Sequence, residues 1–296
     1  MGKGKKRSQV NHQTMSTLKG KVAVVTGASR GGGRGIALAL GEAGATVYLT
    51  GRSTKNQATT DNLPGTIDET AEFVTLRGGV GIPVRCDHTI DAEVEALFAK
   101  VKTEQGHLDL LVNNAWGGYE NYYGTNFEDG VAFDAPFWEH SLQRWQTMFN
   151  AGVRSHLVTT RFAIPLMLPQ NQGLIVSTTA WDRDKFLGNL YYDLAKNAVN
   201  RMAFGMGREL QKYNIAAVAL APGFMRTERV MAAYNLQPFD LSNSESPEYI
   251  GRAIVALASD PDIMSKSGQV LAVGNLAWDY GFTDIDGNQP PAFKIE

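Results

Sequence analysis

The sequence predicts an α/β fold, a single domain on a doubly wound parallel sheet, and three observations carry that expectation. Short β-branched apolar runs alternate with stretches of helical apolar spacing. The first run ends in a glycine cluster, Thr26-Gly27-Ala28-Ser29-Arg30-Gly31-Gly32-Gly33. No internal repeat interrupts the alternation, and 296 residues at 43% hydrophobic suffice for one sizeable core.

The elements follow in order. Residues 21–26 (KVAVVT) read as a strand, and 33–42 as a helix through Ile36, Leu38 and Leu40. A strand at 46–50 precedes a helix within 67–77; a strand at 81–86 precedes one at 92–104; a strand at 108–113 precedes one at 138–150. Beyond these come a long helix at 153–168, a buried strand at 174–179, a helix at 192–212, a strand at 215–221 and a closing strand at 270–273. The domain is set at residues 18–273, with 1–17 a basic solvated tail and 274–296 a carboxyl-terminal extension.

Composition excludes several classes. Net charge is −2 and basic residues are not massed on any core segment, so neither a nucleic-acid surface nor a membrane-surface patch is expected. No apolar run approaches the roughly 20 residues of a membrane span, and the first sixteen residues lack the apolar core of a secretory signal. A soluble cytoplasmic protein is expected. The lone Cys86 excludes an intramolecular disulfide and reads as a strand-end packing residue. His12, His88, His107, His140 and His156 lack paired ligand spacing, so no metal site is expected, and most of them read as solvated or capping residues.

Gly27, Gly31 and Gly33 lie where the first strand turns into the first helix. Glycines there permit positive φ and a close approach of a dinucleotide pyrophosphate, while the helix amino terminus offers free N–H groups. Strand two ends in Leu49-Thr50-Gly51-Arg52 without the carboxylate that would bind a ribose 2′-OH. Arg52 and Arg30 could instead clamp a 2′-phosphate, which favours NADP over NAD; the alternative is that both are simply solvated.

Ten tyrosines and 13 lysines in 296 residues give a Tyr-x-x-x-Lys spacing about 0.4 times by chance, so Tyr192 and Lys196 gain weight from position alone. A spacing of four puts them on one helix face, where an ammonium favours the phenolate and makes Tyr192 an acid-base group. An ordinary amphipathic helix is the competing reading, since Tyr191 is adjacent.

The set Thr26-Gly27-x-x-x-Gly31-x-Gly33, Asn113-Asn114-Ala115, Tyr192-x-x-x-Lys196 and Pro222-Gly223-x-x-x-Thr227 resembles the short-chain dehydrogenase/reductase family over residues 18 to about 275. Flanking stretches such as GATVYLTGRS and NLAWDYGFTDIDG resemble its dehydrogenase/reductase member one subgroup. The resemblance implies a Rossmann fold, a small-molecule substrate and a homo-oligomer. By it, Tyr192 exchanges a proton with a carbonyl or alcohol, and Lys196 lowers the Tyr pKa and holds the nicotinamide ribose. The polarising serine, expected 13 residues before the Tyr, falls on Thr179, with Ser177 as runner-up. Asn150 matches the asparagine that holds a relay water, or else marks a helix kink. Asp87 would contact adenine; Ser29, Asn114 and Ala115 would line the cofactor; Pro222, Gly223 and Thr227 would face the nicotinamide. Two departures are Trp116 at a usual glycine and Gly32 at a usual apolar position.

Residues 116–138 form an insertion with eight aromatics, and 224–246 occupy the place of a substrate lid. Trp116, Trp181 and Phe224 are the candidate substrate contacts, and such a lining suits a bulky, largely apolar carbonyl or alcohol. Aromatics packed beneath their own loop are the alternative. The function expected is NADP-dependent carbonyl–alcohol interconversion; a nucleotide-binding scaffold or redox sensor of the same fold stands against it.

Overall fold

The computed structural model describes residues 17–123, 126–127, 129–181 and 185–295. The expected basic tail lies almost wholly outside the described residues, as does His12. Strands β1 (Val22–Thr26), β2 (Thr46–Gly51), β3 (Val80–Arg85), β4 (Leu110–Asn113), β7 (Gly173–Thr178), β8 (Ile215–Ala221) and β9 (Val270–Ala272) form one parallel sheet. Its order is β3-β2-β1-β4-β7-β8-β9. A short antiparallel pair, β5 (Tyr122–Tyr123) and β6 (Asn126–Phe127), lies in the aromatic insertion. Pro83 in β3 falls on an edge strand, where a missing N–H interrupts no ladder on the outer side.

The inner strands are apolar on both sides because helices cover both faces. On one face α1 (Gly31–Glu42), α2 (Ile67–Leu76), α8 (Pro247–Ala258) and α9 (Val273–Tyr280) bury Ile36, Val74, Ile254 and Leu276 against Val25, Leu49 and Val218. On the other, α3 (Asp91–Gln105), α5 (Ser155–Met167) and α6 (Leu190–Leu210) pack Leu97, Leu166 and Leu210 against Val24, Leu111 and Ile175. Chain order reverses between β1 and β4, and a doubly wound sheet opens its binding crevice at the carboxyl ends there.

Three expectations need correction. The helix expected at 138–150 begins only at α4 (Leu142–Phe149), because the Ser141 hydroxyl accepts from Arg144 N and caps it. It then passes through a π-helical turn, Asn150–Arg154, directly into α5. The helix carrying Tyr192 starts at Leu190, capped by Asn189. Thirdly, His88, His140 and His156 are buried rather than solvated, and His88 bridges Thr50 and Thr159 hydroxyls at 2.6 and 3.0 Å. Burial pushes the His88 imidazole down to about 4, which keeps it neutral.

Residues 274–295 are not set apart from the core. Leu276 and Ala277 are buried in it, and the segment returns along α8 through Tyr249 to Pro290 O at 3.2 Å and Arg252 to Thr283 O at 2.7 Å.

Candidate active site

The end of β1 and the Asn-Asn-Ala segment after β4 are clasped by one hydroxyl. Thr26 Oγ1 accepts from Asn114 N at 2.8 Å and Ala115 N at 2.9 Å, while Asn114 Nδ2 donates to Thr26 O at 3.0 Å. A β-carbon at Gly33 would stand 2.1 Å from Gly27 O and 2.5 Å from Asn114 Nδ2, so only glycine lets the helix start this close to the turn.

Over this turn opens a cleft of about 290 Å³. Gly27, Ser29, Arg30, Gly31, Arg52, Asp87, Asn114, Ala115, Trp116 and Thr227 are among the residues that line it. Gly31 N donates to Glu228 Oε2 at 2.7 Å. Glu228 begins α7 (Glu228–Leu236), so a carboxylate from nearly 200 residues away occupies an amide of the anion-binding turn. Arg229, beside it, pairs with Asp61 and donates to Tyr122 O at 2.7 Å.

Arg30 is not a free clamp. Its guanidinium donates to the carbonyls of Pro64, Thr60, Leu63 and Gly65 and to Ser53 Oγ, within 2.9–3.2 Å. The fork-shaped group matches the several acceptors of the 53–65 loop. Arg52 faces the cleft in a 2.5 Å ion pair with Glu120. Asp87 accepts from Thr89 N and Oγ1 at 2.9 and 2.7 Å; burial opposes its charge, but these bonds hold its pKa below the usual range.

Tyr192 and Lys196 come together on the first turns of α6. The Asn189 side chain accepts from Tyr192 N at 2.9 Å and donates to Phe133 O at 2.6 Å, which fixes the helix start against the aromatic insertion. Lys196 is buried at 7% exposure, and burial lowers its pKa to about 7. Its Nζ lies 5.5 Å from the centre of the Tyr192 ring. Burial raises the Tyr192 pKa, and only the hydrogen bond from Tyr119 acts in the opposite direction.

Thr179, one residue past β7, is buried with Oγ1 3.2 Å from Lys196 O. Ser177 is also buried, paired with Asn113 in the sheet. Asn150 is exposed and opens the π turn. Pro222 and Gly223 follow β8, and Gly223 N donates to Glu245 Oε2 at 2.9 Å; burial pushes that carboxyl up to about 8, so it is protonated at neutral pH. Thr227 caps α7 by accepting from Val230 N. Phe224 is exposed, edge-on to Phe239, and Trp181 is half-buried after β7. The structure thus brings the glycine turn, Arg52, Asp87, Asn114, Ala115, Trp116 and Thr227 to one cleft. Tyr192 and Lys196 stand behind Trp116, and Pro222, Gly223, Trp181 and Phe224 lie outside the cleft lining.

The aromatic insertion packs on Tyr192 itself, with Trp116 and Phe133 ring centres both at 5.6 Å. Sequence reasoning missed Thr26, Tyr119, Glu120 and Glu228 as site residues. The Gly27-x-Ser29-x-Gly31 spacing also matches a hydrolase nucleophile elbow. The histidine partners found are Thr50, Thr159, Gln105, Ala135, Ala115, Asp109 and Asn189, so none of the described histidines hydrogen-bonds Ser29.

With this geometry the comparisons are specific. The short chain dehydrogenase family profile matches residues 21–237, and the chain belongs to the short-chain dehydrogenase/reductase family. It is therefore an oxidoreductase of the class that acts on CH–OH and C=O groups with a nicotinamide cofactor. Within the family it falls with dehydrogenase/reductase SDR family member 1. The Mus musculus protein is 39% identical, with 92% of this chain and 86% of the relative covered. The Homo sapiens protein is 38% identical over 91% and 85%. A short chain dehydrogenase structure from Mycobacterium thermoresistibile superposes with TM-score 0.77 at 26% identity, covering 94% and 95% of the two chains. A hydroxysteroid dehydrogenase from Escherichia coli gives 0.68 at 25%, covering 87% and 97%. No helix of the described residues is long and apolar enough to cross a membrane.

Proposed function

We propose that this chain is an NADP(H)-dependent oxidoreductase that interconverts a carbonyl and an alcohol on a bulky, apolar substrate, with Tyr192 as the acid/base. The observation that carries the reading is Trp116, which lines the cleft over the glycine turn and with Phe133 lies directly on Tyr192 beside Lys196. A dinucleotide fits the turn, because a backbone N–H there already donates to an anionic oxygen of Glu228 and the glycine at Gly33 lets the helix amino terminus start close against the turn. When bound, the nicotinamide supplies or takes the hydride. The chain does the rest. Gly27, Ser29, Gly31, Asn114 and Ala115 hold the dinucleotide, Asp87 takes the adenine side, and Pro222, Gly223 and Thr227 border the nicotinamide. Tyr192 gives its phenolic proton to the carbonyl oxygen or removes one from the alcohol, Thr179 donates a hydrogen bond to the same oxygen, and Lys196 and Asn150 carry the proton onward. Phe224 and Trp181 would bound the substrate beneath a lid at 224–246. A cytoplasmic homo-oligomer is part of the same reading.

NADP preference rests on Arg52, since strand two ends without a carboxylate and Arg30 is occupied by its loop. Arg52→Ala is expected to weaken NADPH binding by about 10- to 100-fold, the size of a lost charge-assisted contact, and to leave NADH nearly unchanged. Fluorescence titration with both cofactors checks this, and an equal loss for both would remove Arg52 from the 2′-phosphate. Glu228→Gln is expected to tighten NADPH binding by roughly 2- to 10-fold, because a neutral amide competes less well for Gly31 N–H and does not repel phosphate. Unchanged or weaker binding in the same titration would show that the carboxylate does not compete. Bulky apolar ketones should outperform small polar ones at matched concentration; the reverse order would sink the substrate assignment.

A further inference from the structure

Trp116 follows the Asn-Asn-Ala segment at a position expected to carry glycine, and its indole has a slot made for it. A β-carbon at Gly118 would stand 2.3 Å from Trp116 Cζ2, and one at Gly152, in the π turn, 2.2 Å from Cζ3. Two glycines from separate elements leave room for the ring, which meets Tyr192 edge-on at 5.6 Å and Tyr119 at 6.0 Å. Its Nε1–H is buried without an acceptor, so no hydrogen bond sets the ring's orientation. One contact remains: Lys196 Nζ lies 3.9 Å from the ring centre.

That contact matters because Lys196 forms no ion pair among the described residues. The groups facing it are Tyr192 on its own helix, His156 from α5, held neutral by burial at about 3, and Tyr119 from the insertion, through Tyr192. The Thr179 hydroxyl meets Lys196 at its backbone carbonyl. A buried ammonium with neutral neighbours gains most from the negative face of an indole, the strongest of the aromatic partners for a cation.

We propose that Trp116 is a positioning residue for Lys196: its indole face holds the ammonium in its charged form behind the cleft, in the role a carboxylate would otherwise fill. The proposal deepens the reading of Tyr192 and Lys196 as a proton-transfer pair and rests on it for its catalytic consequence, whereas the contact itself is testable without cofactor or substrate.

The test is an NMR titration of the Lys196 side chain in the cofactor-free full-length protein, with the resonance identified by its absence in Lys196→Met. Trp116→Leu is expected to lower the Lys196 pKa by about 0.5–1.5 units, from loss of a cation–π contact of typical strength, and Trp116→Phe to recover part of the shift. Protein grown with increasingly fluorinated tryptophan keeps the ring shape while weakening its negative face, and should lower the pKa step by step even if the Leu variant does not fold. A Lys196 titration unchanged or raised by fluorination overturns the proposal. Failure of the oxidoreductase reading would appear separately, as absence of hydride transfer in protein whose Lys196 still responds to fluorination.

Discussion

Tyr192→Phe lowers turnover by about 10²–10⁴-fold, the usual contribution of a positioned acid-base group, while NADPH binding stays within about twofold. The separation is expected because the phenyl ring preserves the contacts with Trp116 and Phe133 and the variant loses only the hydroxyl. Steady-state rates and a cofactor titration on the same preparation read both quantities. Loss of binding together with turnover would mean that Tyr192 is structural. The phenol is raised by burial, with Tyr119 the only opposing group, so it is protonated at neutral pH and poised to donate in the reductive direction. The same group must lose that proton to act in the oxidative direction. Oxidation is therefore expected to rise with pH and reduction to fall at high pH, and pH–rate profiles measured both ways test the sign.

Gly33→Ala is expected to remove cofactor binding and to destabilise the fold. The new methyl would lie 2.1 Å from Gly27 O and 2.5 Å from Asn114 Nδ2, and neither atom can yield without opening the turn or breaking the clasp to Thr26. Forced overpacking of this kind costs at least about 2 kcal/mol, or about 4 °C or more in Tm. Calorimetry and NADPH titration together check it. A variant with unchanged Tm and full affinity would contradict the geometry of the turn.

Much of the fold was legible because its signals are local. KVAVVT before a glycine cluster, or the apolar run of β8, announces a buried parallel strand without reference to distant residues. Tyr192 and Lys196 were legible because a helix fixes a four-residue spacing. What escaped depends on chain segments brought together only by folding. Arg30 reads as a free cation until the 53–65 loop places several acceptors around it. His88 reads as solvated until Thr50 and Thr159 close on it from two elements. Glu228 is an ordinary first-turn acid until α7 sets it on Gly31 N, and the Lys196 ammonium meets an indole face only once the fold brings Trp116 to 3.9 Å from its Nζ. The π turn at Asn150 was half visible as a kink; it joins α4 directly to α5.

The most direct measurement is hydride transfer itself. Protein incubated with NADPH deuterated at the transferable position, across a panel of small and bulky ketones, aldehydes and quinones, should yield an alcohol carrying one deuterium on the carbinol carbon. The account predicts that product from bulky apolar carbonyls and its absence with Tyr192→Phe. Tight NADPH binding with no label transferred to any carbonyl would contradict it.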